Sequence, residues 1–156
     1  MDKKVLNTLE RLCSRREYCS KDVYQKALKL LDGDEHQASE MLAFLVKEKY
    51  VDDLRYASAF ARDKATFQGW GPVKIGYMLR AKGIASDTIK EALSEIDTAK
   101  ADEKLKKVLQ TKYKSLQGDP QWRLKLIKFA LGRGYDYDSV SKLLAELQVP
   151  ESVPFD

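Results

Sequence analysis

Lys74, Tyr77 and Arg80 recur at three-residue spacing in a segment whose pattern predicts a helix from Pro72 to Lys82. With Ile75, Met78 and Leu79 turned inward, a 100° step per residue points Val73, Lys74, Tyr77, Arg80 and Ala81 outward. An aromatic ring between two cations suits contact with nucleic acid or with a protein surface. The same pattern also suits an exposed tyrosine among solvated charges. Lys82, like Arg133 further on, falls in a last helical turn, where the helix dipole alone accounts for a cation.

Other candidate contacts lie around this segment. Arg55 and Arg62 fall opposite the apolar stripe of the preceding helix and are expected at the surface. Lys64 projects between Phe60 and Phe67, on the apolar side, where it snorkels at the core edge or reaches across a seam to a partner. Trp70 stands between two glycines, and a packing role at the helix junction is expected of it. Lys125 and Lys128 flank the apolar faces of a later helix and could meet an anion. These eleven residues are Arg55, Arg62, Lys64, Trp70, Lys74, Tyr77, Arg80, Lys82, Lys125, Lys128 and Arg133.

None of this chemistry is catalytic. The stretch Gly69-Trp-Gly71-Pro-Val-Lys-Ile-Gly76 lacks the lysine–hydroxyl ending of a phosphate-binding loop and fails the dinucleotide spacing. No nucleophile elbow or zinc-protease motif occurs. His36 is the single histidine, so a Cys/His zinc site is not expected, and its place in a first helical turn predicts a surface role. Cys13 and Cys19 are about two helical turns apart, too far for a disulfide within one helix. No enzyme, metal or cofactor is expected.

The net charge of +4 is mild, and charged residues make up 33% of the chain against 44% hydrophobic. Clustering is sharper: Arg62 to Lys82 holds five basic residues with only Asp63 acidic, and Lys100 to Arg133 holds ten basic against three acidic. Such a stripe attracts phosphate or an acidic protein surface, although a solvated helix face is the commoner outcome of a charge run. No apolar run is long enough to span a membrane, and the first residues lack a signal-peptide core. A cytoplasmic location and a monomer are expected.

A shift of 51 positions aligns Leu28 with Leu79, Ala38 with Ile89, Leu42 with Leu93 and Leu45 with Ile96. A second such shift carries Lys82-Gly83-Ile84 onto Arg133-Gly134-Tyr135, and Asp87, Ile89, Leu93 and Ile96 onto Asp138, Val140, Leu144 and Leu147. The repeat predicts three units, at 1–51, 52–97 and 98–156, the last carrying a short tail with Pro150 and Pro154. In the middle unit Asp52 or Asp53 caps a helix with the stripe Tyr56, Ala57, Phe60 and Phe67. Gly69 and Gly71 end that helix, Pro72 opens the next, and Gly83 fits a left-handed cap. Ser86 or Asp87 starts a third, with Ile89, Leu93 and Ile96 inward. Ser20 or Asp22, Asp34 with Gln37, Asp119-Pro120, and Gly134 with Asp138 mark matching boundaries in the outer units. The helix from Pro120 to Gly132 is apolar on two sides (Trp122, Leu126, Phe129; Leu124, Ile127, Leu131), and burial between units is expected. Strand alternation is missing. The reading is an all-α fold of three tandem three-helix units, stacked into an elongated, curved molecule.

The middle unit resembles the RecX family of bacterial recombination regulators. The match is carried by Asp52-Asp53-x-Arg55-Tyr56-x-x-x-Phe60 and Gly71-Pro72-x-x-Ile75-x-x-x-Leu79-x-x-Lys82-Gly83-Ile84. Arg16-Glu17-Tyr18-Cys19-Ser20 resembles the family's Arg-Glu-x-x-Ser opening, with Val23-Tyr24 where Glu-Leu is usual. The resemblance implies a non-enzymatic modulator of RecA, the ATP-dependent recombinase that polymerises on single-stranded DNA. It implies binding to the RecA filament, suppression of its ATPase, coprotease and strand-exchange activities, and, for some members, direct binding of DNA. The competing readings are a general single-stranded nucleic-acid-binding helical protein and a scaffold for another protein.

Overall fold

Capping chemistry sets most helix starts. The computed structural model describes residues 1–146, which form nine α-helices and no strand. Asp2 accepts from the Lys4 and Val5 amides and opens α1 (Lys3–Arg15). α2 (Ser20–Leu30) begins after Cys19, and the Asp34 carboxylate caps α3 (Glu35–Lys47), accepting from both the backbone and the side-chain amide of Gln37. The Asp52 carboxylate accepts from the Arg55 amide at the start of α4 (Asp53–Thr66), whereas Asp53 accepts from the Ser20 amide. α5 (Pro72–Ala81) and α6 (Ser86–Ser94) come next, then α7 (Thr98–Ser115) capped by Asp97, α8 (Trp122–Gly132) and α9 (Tyr137–Glu146). α9 is capped by Asp136, through the Ser139 amide, and not by Asp138. An N-cap side chain has to lie outside the helix to reach back to the third amide, and Asp138 is already inside.

The 51-residue period is written in the backbone. Positive φ occurs at Asp32 (53°), Gly83 (76°) and Gly134 (97°), one period apart. Each time the next amide donates to a carbonyl five residues back: Gly33 to Leu28, Ile84 to Leu79, and Tyr135 to Ala130. This left-handed cap satisfies carbonyls that a helix end would otherwise orphan.

The chain divides into two compact units that are discontinuous in sequence, with divisions falling within α4 and α5. The first comprises residues 1–59 and 78–94. Its core gathers Leu9, Cys13, Val23, Ala27, Ala38, Met41, Leu45 and Val51 from α1, α2, α3 and the turn after them. Both cysteines are free and buried; burial pushes each thiol pKa up. The second comprises residues 60–77 and 95–146. Its core includes Leu105, Leu109, Trp122, Leu126, Ala130, Val140 and Leu144, with Tyr113 edge-on to Trp122 at 5.3 Å.

Several inward assignments change. α4 buries alanines, Ala57, Ala61 and Ala65, at i, i+4 and i+8, and Phe67 is 72% exposed. Two residues beyond Ala65, Phe67 is rotated about 200° from that stripe. In α5 the buried line is Ile75 and Leu79, and Met78, 100° away, is exposed. α8 buries Trp122, Leu126 and Ala130, while Leu124 and Leu131 are exposed: one face is packed, not two. Leu93 is half-buried, and Ile96 lies beyond the end of α6. The expectations for Leu147, Pro150 and Pro154 concern positions outside the described residues.

Candidate functional site

Trp70 organises the cations of the second unit. Gly69 takes a φ of 68° directly after α4, which lets the Trp70 amide reach back to the Lys64 carbonyl at 2.9 Å. The indole meets the Phe60 ring edge-on at 6.2 Å. Lys64 Nζ lies 4.7 Å and Lys74 Nζ 4.1 Å from its centroid, so two ammonium groups share one ring. Lys64 therefore sits at the core edge as its position implied. Lys74 does not point freely outward: it is half-buried, because the indole draws its chain back along the turn. The Trp70 carbonyl accepts from the Tyr135 hydroxyl at 3.3 Å.

Four of the other cations expected at a contact surface already hold internal partners. Arg55 donates through Nε to Glu17 and through Nη2 to the carbonyls of Lys49 and Tyr50 at 3.0 and 3.3 Å, tying down the end of α3. Lys82 pairs with Asp22 at 3.0 Å, a bond across 60 residues that the dipole argument did not contain. Burial of Asp22 works against its ionisation, yet the hydrogen bond and charge of Lys82 outweigh it and hold the carboxyl below its usual range. Lys125 Nζ lies 2.5 Å from Asp119 and locks the turn that precedes α8. Arg133 Nη1 donates to the Gln68 carbonyl at 2.5 Å, and its guanidinium lies 5.3 Å from the Phe129 centroid. Arg62, Tyr77, Arg80 and Lys128 are exposed, Arg62 facing Asp63 at 3.9 Å.

A feature missed in the sequence lies between α7 and α8. A groove of about 310 Å³ is lined by Lys104, Lys107, Lys112 and Arg133 around Phe129, with no carboxylate among its described lining residues. Phe129 carries Lys112 Nζ at 5.3 Å as well as Arg133, which fixes the two cations over one ring. An adjoining trough of about 420 Å³ shares Lys104 and Lys107 and adds Lys100, Glu103 and the exposed Phe67. Glu103 pairs with Lys107 at 3.5 Å, both side chains more than two-thirds exposed, a weak interaction in water. The signal was present in the sequence, since Lys100, Lys104, Lys107 and Thr111 have helical spacing on one face of α7.

Among the described residues, no helix is long and apolar enough to cross a membrane, and no three potential metal ligands gather. Residues 52–93 match the family description "RecX, second three-helix domain". The chain is 30% identical over 135 residues to the regulatory protein RecX of Chromobacterium violaceum, covering 86% of this chain and 84% of that one. It is 35% identical over 123 residues to the regulatory protein RecX of Clostridium botulinum Eklund 17B, where it spans only 57% of the relative's length. The fold is similar to the crystal structure of RecX from Lactobacillus salivarius, with a TM-score of 0.83, 24% identity, and coverage of 94% of this chain and 96% of that one. The chain belongs to the RecX family of regulatory proteins.

Proposed function

We propose that this protein binds the RecA filament on DNA and inhibits its ATPase, coprotease and strand-exchange activities, restraining recombination and the SOS response. One observation carries the reading: the chain matches a named regulatory protein RecX over most of both lengths. Exposed cations and an exposed Tyr77 suit contact with an acidic or nucleic-acid-bearing partner. In this reading the chain acts in the cytoplasm as a non-enzymatic monomer of three tandem three-helix units, and Tyr77, Arg80 and Lys128 are its first candidates for contact. The recurrence of one cap at residues 32, 83 and 134 supports the repeat. The test is DNA-dependent ATP hydrolysis by RecA with this chain added at substoichiometric ratios. The rate is expected to fall; an unchanged rate over a wide concentration range sinks the proposal.

A further inference from the structure

The segment Arg16-Glu17-Tyr18-Cys19-Ser20 joins α1 to α2, and the fold engages two of its residues. Glu17 accepts from Arg55 Nε, and the Ser20 amide donates to the Asp53 carboxylate at 2.8 Å. In the first turn of α2, Asp22 pairs with Lys82. These bonds reach 38, 33 and 60 residues along the chain and pin the loop within the first unit. Arg16 and Tyr18 instead line an open pocket of about 470 Å³, together with Asp22, Gln25 and Lys26. That size falls within the usual range of ligand pockets, about 300–1,000 Å³. The Arg16 guanidinium lies 4.2 Å and Lys26 Nζ 5.3 Å from the Tyr18 centroid, so one half-buried ring seats both cations. The carboxylates nearest them in sequence, Glu17 and Asp22, are already taken by Arg55 and Lys82. The pocket therefore has an excess of positive charge held in a fixed place.

We infer that this pocket, at the junction of α1 and α2, binds a short acidic peptide segment of a protein partner, one carboxylate held by Arg16 and Lys26 and the adjoining peptide bond by Gln25. Arginine clusters recognise acidic motifs through charge-assisted hydrogen bonds. The Gln25 side-chain amide both donates and accepts, which matches a peptide bond. A strand of phosphates fits the lining less well. Two cations on one ring make a seat and not a track, and Asp22, ionised despite its burial because Lys82 bonds to it, would face the next phosphate. The loop is pinned and the cations are seated before any ligand arrives, which lowers the ordering cost of binding. The inference goes beyond the regulatory reading and stands without it, since it needs no recombinase.

The experiment is fluorescence anisotropy of a fluorescein-labelled peptide of alternating glutamate and serine, with the full chain alone. Saturable binding is expected, and the same peptide with glutamine for glutamate is expected not to bind. Arg16→Gln and Lys26→Gln should each weaken binding about tenfold, the scale of a hydrogen bond to a charged group. Tyr18→Leu keeps both charges but removes their seat, and should weaken binding about threefold. Lys104→Gln with Lys107→Gln, on α7 in the other unit, leaves binding unchanged. Arg16→Gln, at an exposed position, carries the test alone should Lys26→Gln lose helical circular dichroism. Absent binding, equal binding of the glutamine peptide, indifference to the Arg16 change, or displacement of the peptide by an oligothymidine overturns the inference. RecA ATPase assays separate the two readings. A chain that inhibits RecA yet ignores the peptide removes this proposal alone. A chain that takes the peptide through Arg16 and leaves RecA untouched removes only the other.

Discussion

Gly71 and Gly134 meet backbone to backbone. The Gly71 amide donates to the Arg133 carbonyl at 2.7 Å, and the Val73 amide donates to the Gly134 carbonyl at 3.0 Å. The first turn of α5 is thereby satisfied by the loop that ends α8. A Cβ on Gly71 would overlap the Gly134 carbonyl and stand 2.6 Å from the Tyr135 nitrogen. At Gly134 it would meet the Lys74 backbone, at a φ of 97°.

Gly71 is thus fixed by space, and Gly134 by space as well as conformation. Gly71→Ala is expected to destabilise the fold by about 2–3 kcal/mol, since the obstruction is backbone and cannot rotate away. Gly134→Ala combines that clash with left-handed strain and is expected to cost at least as much. Gly132, inside α8, has open space around its missing Cβ, so Gly132→Ala should be neutral or stabilising by up to about 1 kcal/mol. Thermal unfolding of the three variants checks the contrast. Equal melting temperatures would show that the junction yields freely.

Burial, with the Asp102 charge adding to it, pushes the Tyr135 phenol up to about 12 against the pull of Arg133. The unfolded chain releases that proton near 10, so between about pH 10 and 12 it binds fewer protons than the folded chain. Stability must therefore fall as pH rises through that window, and Tyr135→Phe should remove this part of the decline. Chemical unfolding of wild type and variant at pH 8 and pH 11 measures it. A stability gap that does not narrow at the higher pH counts against the assignment.

The Asp22–Lys82 pair makes the opposite prediction at the acid end. Asp22 is held below its usual value, so its contribution is present above about pH 4 and is lost as pH falls through the folded value. Lys82 is raised by its hydrogen bond to Asp22, so its contribution persists until pH climbs through the folded value above 10.5. Both side chains are partly exposed, so the pair is expected to contribute at most about 1 kcal/mol. Asp22→Asn should cost about that much at pH 7 and progressively less as pH falls below about 4, as read by urea unfolding.

The single packed face of α8 separates two leucines that look alike in sequence. Leu126→Ala should cost about 2–5 kcal/mol, the range for deleting a fully buried side chain. Leu124→Ala, at a position 51% exposed, should change stability by less than about 0.5 kcal/mol. Comparable losses at both positions would mean that Leu124 is covered in solution.

Helix ends were readable because their causes are local. Asp34 with Gln37, Pro72, and the lysine–glycine stop at Gly83 all act within a few residues of the boundary they create. Faces were less readable. Periodicity put Phe67 and Met78 inside, but the orientation of a helix is decided by what packs on it, and α4 presents alanines. Long-range commitments were invisible. Nothing near Lys82 announces Asp22, and nothing near Gly71 announces Gly134. The basic α7 face was legible only as a charge count between Lys100 and Arg133. The aromatic seat that holds Lys112 and Arg133 needed the fold.

The interleaving of the two units has a bearing on how the chain is made. Residues 60–77 leave the ribosome before residues 78–94, yet they belong to the unit that residues from 95 onward complete. At about 5–20 residues per second, the segment around Trp70 waits seconds for its partners to be translated. During that wait the Trp70 carbonyl lacks the Tyr135 hydroxyl from which it accepts in the finished fold.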